Sequence, residues 1–311
     1  MNRSVRLGGW SSVSVGVASL AAALELWQKT FGLSCEELRV GHDPELAWLW
    51  GIEPEDIVQQ ALLRTPGLTA GGLHLVEFHE PEPPIRQGAE VFDLCPKNLD
   101  IYVDDLPRRM AELQQRGWAF RNDHCSEVEA PDGTVFREVH LPSHDAINVV
   151  LLQVLGQSHP FTAHGFAGVG PLITIVGDAA AERRYFEQGF GMQLLTHNLL
   201  SGPEVEKMVG LPAGAELDIS IWGEAGQHFG QMELIQYRGV EGVDRYPLAK
   251  PKSLGVLHVN YRCADLAALA AQLAEAGGPI SEHEPVQVLP GSGAALTAHT
   301  PAGLRIDIFS Q

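Results

Sequence analysis

His258 lies in the stretch VLHVNYRCADL, residues 256–266, where an apolar alternating run meets an aspartate and then a helical pattern. An imidazole inside such a strand can be a hydrogen-bonded core group, a proton-transfer base or a metal ligand. The other reactive signatures are missing from the chain. Its four cysteines (Cys35, Cys95, Cys125 and Cys263) are far apart with no CxxC pair, which argues against a zinc knuckle or a disulfide framework. No Gly-rich phosphate loop, serine nucleophile elbow or HExxH is present. The role of His258 therefore turns on whether the chain carries other copies of this stretch, and on what stands at the same place in each.

Four copies exist. Aligned on the aspartate or serine after the strand, they read SVSVGVAS (12–19), NLDIYVDD (98–105), PLITIVGD (171–178) and HVNYRCAD (258–265). Each is followed by an amphipathic helical run that ends at a glycine able to serve as a C-cap. Ser19 to Asp105 spans 86 residues and Asp178 to Asp265 spans 87, so the order is ABAB, a duplicated pair of units. Further strand-like runs follow each helix. The first and third units also carry matching helical inserts, PELAWLWGI and PEVEKMVGL. Each unit reads as βαβββ, and the chain as α+β with twelve to sixteen strands in four mixed sheets.

The bulk properties bound the function. A length of 311 residues suits about two domains at roughly 150 residues each. Hydrophobic content of 45% with 19% charged residues is that of a soluble globular chain. A formal net charge of −18 argues against nucleic acid or an anionic membrane as partner. The opening stretch, with Arg3 and Arg6 before an apolar run, reads as strand plus helix rather than a signal peptide. No run is long enough to span a membrane. The expectation is a cytoplasmic monomer or homodimer acting on a small molecule.

Through its four βαβββ units, nearly the whole chain resembles the vicinal oxygen chelate superfamily (glyoxalase I, methylmalonyl-CoA epimerase, bleomycin- and fosfomycin-resistance proteins, type I extradiol dioxygenases). The resemblance implies that the units close in pairs into two cupped mixed-sheet barrels. It also implies a metal ion held by residues of the first and last strands of each unit. His258 occupies the first-strand position of unit four, and Ser12, Asn98 and Pro171 are its equivalents. The last-strand positions are His74, Val150, Glu233 and Asp307. Neighbour pairing, the simpler topology, predicts a metal-free barrel over residues 1–157 and a second barrel over 166–311. In the second, His258, Glu233 and Asp307 would hold one divalent ion (Mn, Fe, Ni, Co or Zn). If unit one instead closes on unit four, the set becomes Ser12, His74, His258 and Asp307, whose two imidazoles and one carboxylate match a non-haem iron triad.

His197 and Tyr237, on unit-three strands, are the candidates for proton transfer. The resemblance then implies a metal-dependent lyase or isomerase that chelates adjacent oxygens of a small substrate and moves a proton. A metal-free small-molecule binding protein and a ring-cleaving dioxygenase are the alternatives. Pro171, in place of an imidazole, and Thr297, in place of a tyrosine, count against the dioxygenase.

Overall fold

The computed structural model describes residues 5–311. Unit one comprises β1 (Ser12–Val17), α1 (Leu20–Leu24), β2 (Ser34–Val40), α2 (Pro44–Trp50), β3 (Ile57–Arg64) and β4 (Gly72–Phe78). A short strand, β5 (Glu82–Pro84), lies in the link to unit two. That unit holds β6 (Pro96–Val103), α3 (Leu106–Gln115), β7 (Ser126–Glu129), β8 (Val135–Pro142) and β9 (Asn148–Val154). Unit three holds β10 (Phe166–Ile175), α4 (Ala179–Gln188), β11 (Gln193–Leu200), α5 (Pro203–Val209), β12 (Glu216–Gly223) and β13 (Gln231–Arg238). Unit four holds β14 (Ser253–Cys263), α6 (Leu266–Glu275), β15 (Ile280–Val288), β16 (Gly291–His299) and β17 (Arg305–Ser310).

The residue shared by the four repeats is a helix N-cap. Side chains of Ser19, Asp105, Asp178 and Asp265 accept from the backbone N–H three residues on, at 3.3, 3.2, 2.9 and 2.9 Å. Each such cap contributes about 1 kcal/mol. The glycines that end the runs, Gly32, Gly117, Gly191 and Gly277, all have positive φ, which a side chain disfavours. Strand, cap, amphipathic helix and left-handed glycine thus follow from local chemistry alone.

The pairing of units does not follow the expectation. Units one and four share a nine-stranded sheet ordered β15-β16-β17-β14-β1-β4-β3-β2, with β5 added beside β14. Units two and three share an eight-stranded sheet ordered β11-β12-β13-β10-β6-β9-β8-β7. There are two sheets rather than four, each curled into a half-barrel, and they do not coincide with the expected barrels over 1–157 and 166–311. The physical reason is that units two and three are also sequence neighbours. The chain between Val154 and Phe166 is short, and β6 and β10 are buried along their whole length. Once these two join antiparallel, the terminal units close on each other through β1 and β14. Gly16 permits that closure, because a Cβ there would run into the Ser253 carbonyl.

Candidate active site

The two sheets place equivalent positions at equivalent levels. In the sheet of units one and four, Ser14 lies between His74 and His258, and Asn260 is level with Asp307. In the sheet of units two and three, Ile173 lies between Glu233 and Asn98, and Asp100 is level with Val150. The expected set is therefore divided: His258 and Asp307 belong to one sheet and Glu233 to the other. The three cannot share an ion.

The interior of the first sheet is buried and bonded in part: among the described residues, Trp50 Nε1, His258 Nε2, Asn260 Oδ1 and Asp307 Oδ2 have no hydrogen-bond partner. His74, His258 and Asp307 are at most 1% exposed. The Asn260 amide donates to Ser14 Oγ at 2.9 Å, and Ser14 Oγ lies 3.1 Å from His74 Nδ1. His74 Nε2 lies 2.8 Å from Gln60 Oε1, and the Gln60 amide donates to Asp43 at 2.7 Å. Read as one directional chain, this puts the His74 proton on Nε2 and leaves neither ring nitrogen free for a metal. Burial first, then the neighbouring His258, lowers the His74 pKa to about 3, so the ring is neutral. Asp307 accepts from Thr297 Oγ1 at 2.7 Å and from Arg305 Nε at 2.9 Å, while its other oxygen lies 3.2 Å from His258 Nε2. Arg305 and His258 hold this carboxylate well below the usual range against the opposing effect of burial. Trp50, on α2, covers the assembly with its ring centroid 5.1 Å from that of His258 and 5.8 Å from that of His74. Ser12, from the alternative set, only accepts from Asn260 at 3.1 Å.

The second sheet is open. Its concave face borders a cavity of about 450 Å³, within the size range of small-ligand sites. Lys97, Asn98, Asp100, Glu138, His140, Glu233 and Tyr237 line it. Lys97 is 2% exposed, and its Nζ donates to the Tyr237 hydroxyl at 2.8 Å rather than to a carboxylate. Burial, aided by the nearby Arg86 and Arg121, pushes the Lys97 ammonium down to about 7. Burial and then the Glu138 charge raise Glu233 to about 8. Asp100, with one carboxyl oxygen lacking any hydrogen bond, is held well above its ordinary value by burial, Glu233 and Glu138. The Asn148 amide lies 2.8 Å from Asn98 Oδ1 and 2.9 Å from His140 Nδ1, and His140 Nε2 faces Glu138 at 2.9 Å. His140 is thereby fixed as the neutral tautomer that orients Glu138.

One aligned difference bears on access to the two interiors. In the inserts PELAWLWGI and PEVEKMVGL, Trp50 corresponds to Val209. Trp50 on α2 closes one interior, whereas Val209 on α5 forms part of the wall of the other.

No family model matches the chain, and no curated protein matches it either. Solved structures do. Glyoxalase I from Zea mays aligns with TM-score 0.66 at 17% identity, over 98% of this chain and 92% of its own. A point mutant of the same maize enzyme gives 0.67 at the same identity and the same coverage. A putative dioxygenase from Bacillus subtilis aligns with TM-score 0.64 at 12% identity, over 99% of this chain and 86% of its own. This chain has a glyoxalase-like fold. At these identities the likeness establishes architecture and not reaction. The glyoxalase-like fold is here a duplicated one, with one interior covered by Trp50 and one bordering a cavity.

The metal expected from this fold does not find its ligands. Among the described residues, no three His, Cys, Asp or Glu side chains gather closely enough to hold an ion. In the open cup, both nitrogens of His140 are engaged and Lys97 stands among the carboxyls. Of the residues expected to move protons, Tyr237 lines the cup, and its hydroxyl is raised by burial. His197 does not line it. It is half-exposed, bonded at 2.8 Å to Asp218. Lys97, Asp100, Glu138 and His140 were not singled out by spacing. For Lys97 and Asp100 the usable signal is a pair of ionisable residues inside the strand run PKNLDIYV. No helix among the described residues is long and apolar enough to cross a membrane.

Proposed function

We propose that the protein is an enzyme of the lyase or isomerase type that binds a small oxygenated substrate in the cup of units two and three and moves a proton on it. The supporting observation is Glu233, an acid brought to about 8 on the floor of a 450 Å³ cavity. Near neutral pH it still carries the proton that a general acid must donate to a substrate oxygen. Glu138, steered by His140, is the acceptor for a proton taken from carbon. Lys97 presents an amine to the same space. These roles need only this chain's own side chains. A ring-cleaving dioxygenase through His74, His258 and Asp307 is disfavoured, because that interior is packed and both His74 nitrogens are engaged.

A panel of hydroxy-ketones, hemithioacetals, acyl-CoA thioesters and catechols, assayed for solvent deuterium uptake as well as product, tests this reading. With the substrate it yields, activity should fall as pH rises through about 8, where Glu233 loses its proton. Asp100 is coupled to that ionisation, so the limb belongs to the pair. Glu233→Gln should lower kcat/KM by about 10²–10⁴-fold and remove the alkaline limb. A Glu233→Gln enzyme with full activity and an unchanged profile would refute the assignment. Ligands that bind the cup with no turnover in any class would favour a binding protein.

A further inference from the structure

We propose that the substrate carries an aldehyde or ketone and that Lys97 captures it as a Schiff base. This deepens, and rests on, the placement of the reaction in the cup of units two and three. The geometry begins with the contrast among the five lysines of the chain. Lys29, Lys250 and Lys252 each pair with a carboxylate, of Glu25, Glu82 and Asp56, and Lys207 lies in an exposed contact with His124. Lys97 alone is buried, and it lines the cavity with a phenol as its bonded partner. An amine desolvated in this way loses its proton near neutrality and becomes a nucleophile. The groups around it are Tyr237 and Glu233 on β13, Asp100 on β6 with Cys95 beside that strand, Glu138 and His140 on β8, and Arg86 and Arg121 in the flanking loops.

The step balances with the groups present. The Nζ lone pair forms a bond to the carbonyl carbon while the C=O π pair moves to oxygen. One amine proton shifts to that oxygen, giving a carbinolamine. Glu233 then protonates the hydroxyl, the C–O bond breaks, and water leaves, with an iminium and the Glu233 carboxylate remaining. The iminium draws electrons from the adjacent carbon, which gives Glu138 an acidic C–H to deprotonate. Neither oxidant nor reductant is consumed.

Limiting ¹³C-formaldehyde with cyanoborohydride, applied to the intact chain at pH 7 and followed by peptide mapping, tests the amine without knowledge of the substrate. Formaldehyde is itself a carbonyl that must form the Schiff base before reduction. Lys97 should be methylated at least about tenfold faster than Lys29, Lys207, Lys250 and Lys252, whose amines are almost wholly protonated at that pH. Val209→Trp, which puts an indole in the cavity wall, should abolish that preference. Lys97 lagging behind the exposed lysines would overturn the proposal. With the turnover substrate in hand, borohydride should inactivate the enzyme through an adduct on Lys97. Turnover with no such adduct would overturn the covalent role while leaving the proton-transfer reading intact, since that reading stands or falls on the Glu233 limb.

Discussion

The sheet of units one and four and the sheet of units two and three have the same strand plan and opposite interiors. In the first, Asn260, Ser14, His74, Gln60 and Asp43 form one bonded chain, Arg305 and Thr297 hold Asp307, and Trp50 lies over the assembly. In the second, Lys97 faces a phenol, one oxygen of Asp100 has no partner, and the Glu138 charge adds to the cost of ionising Glu233 and Asp100. Unmatched ionisable groups at the wall of a cavity are expensive unless they act on something that enters it. Duplication permits this division, since one copy can hold the fold while the other carries strain. The histidines that first attract attention in the sequence thus belong to the structural copy.

Two exchanges at the aligned helix position should break that comparison. The larger effect is expected from Val209→Trp. An indole in place of an isopropyl group would occupy the cup beside Met208, and turnover should fall below detection with the fold retained. Circular dichroism alongside the activity assay would check it. Unimpaired turnover would mean that the reaction lies elsewhere. The converse change, Trp50→Val, should leave kcat/KM unaltered and cost about 3 kcal/mol of stability, because it opens a cavity over His74 and His258. Urea unfolding measures that cost. A loss of activity in Trp50→Val matching that of a cup variant would show that the closed interior takes part in chemistry.

Much of the architecture was legible from the chain. The capping residues Ser19, Asp105, Asp178 and Asp265, each followed by an amphipathic run and a glycine that needs positive φ, reveal four units without any tertiary information. The partner of each unit was not legible, because adjacency in sequence favours units two and three as much as units one and two. That ambiguity misplaced the candidate site. Glu233 aligned with His74 as the repeat required, yet it faces Asn98 and Ile173 across a sheet that His258 never joins. Lys97 stands one residue from an aligned position, and its significance appears only when β13 brings Tyr237 and Glu233 to the same cavity. Trp50 and Val209 were visible as an aligned pair. That one residue lies over buried histidines and the other lines a cavity depends on how α2 and α5 lie on their sheets, which no spacing encodes.

The central claim is that the cup of units two and three receives a small molecule and that the interior of units one and four does not. Soaking crystals with a set of small hydroxy-ketone and keto-acid fragments tests this most directly. The account predicts fragment density between Lys97, Asp100 and Glu233, with Trp50 unmoved over His258. Density that displaces Trp50 to reach His258 and Asp307, with the cup empty, would contradict it.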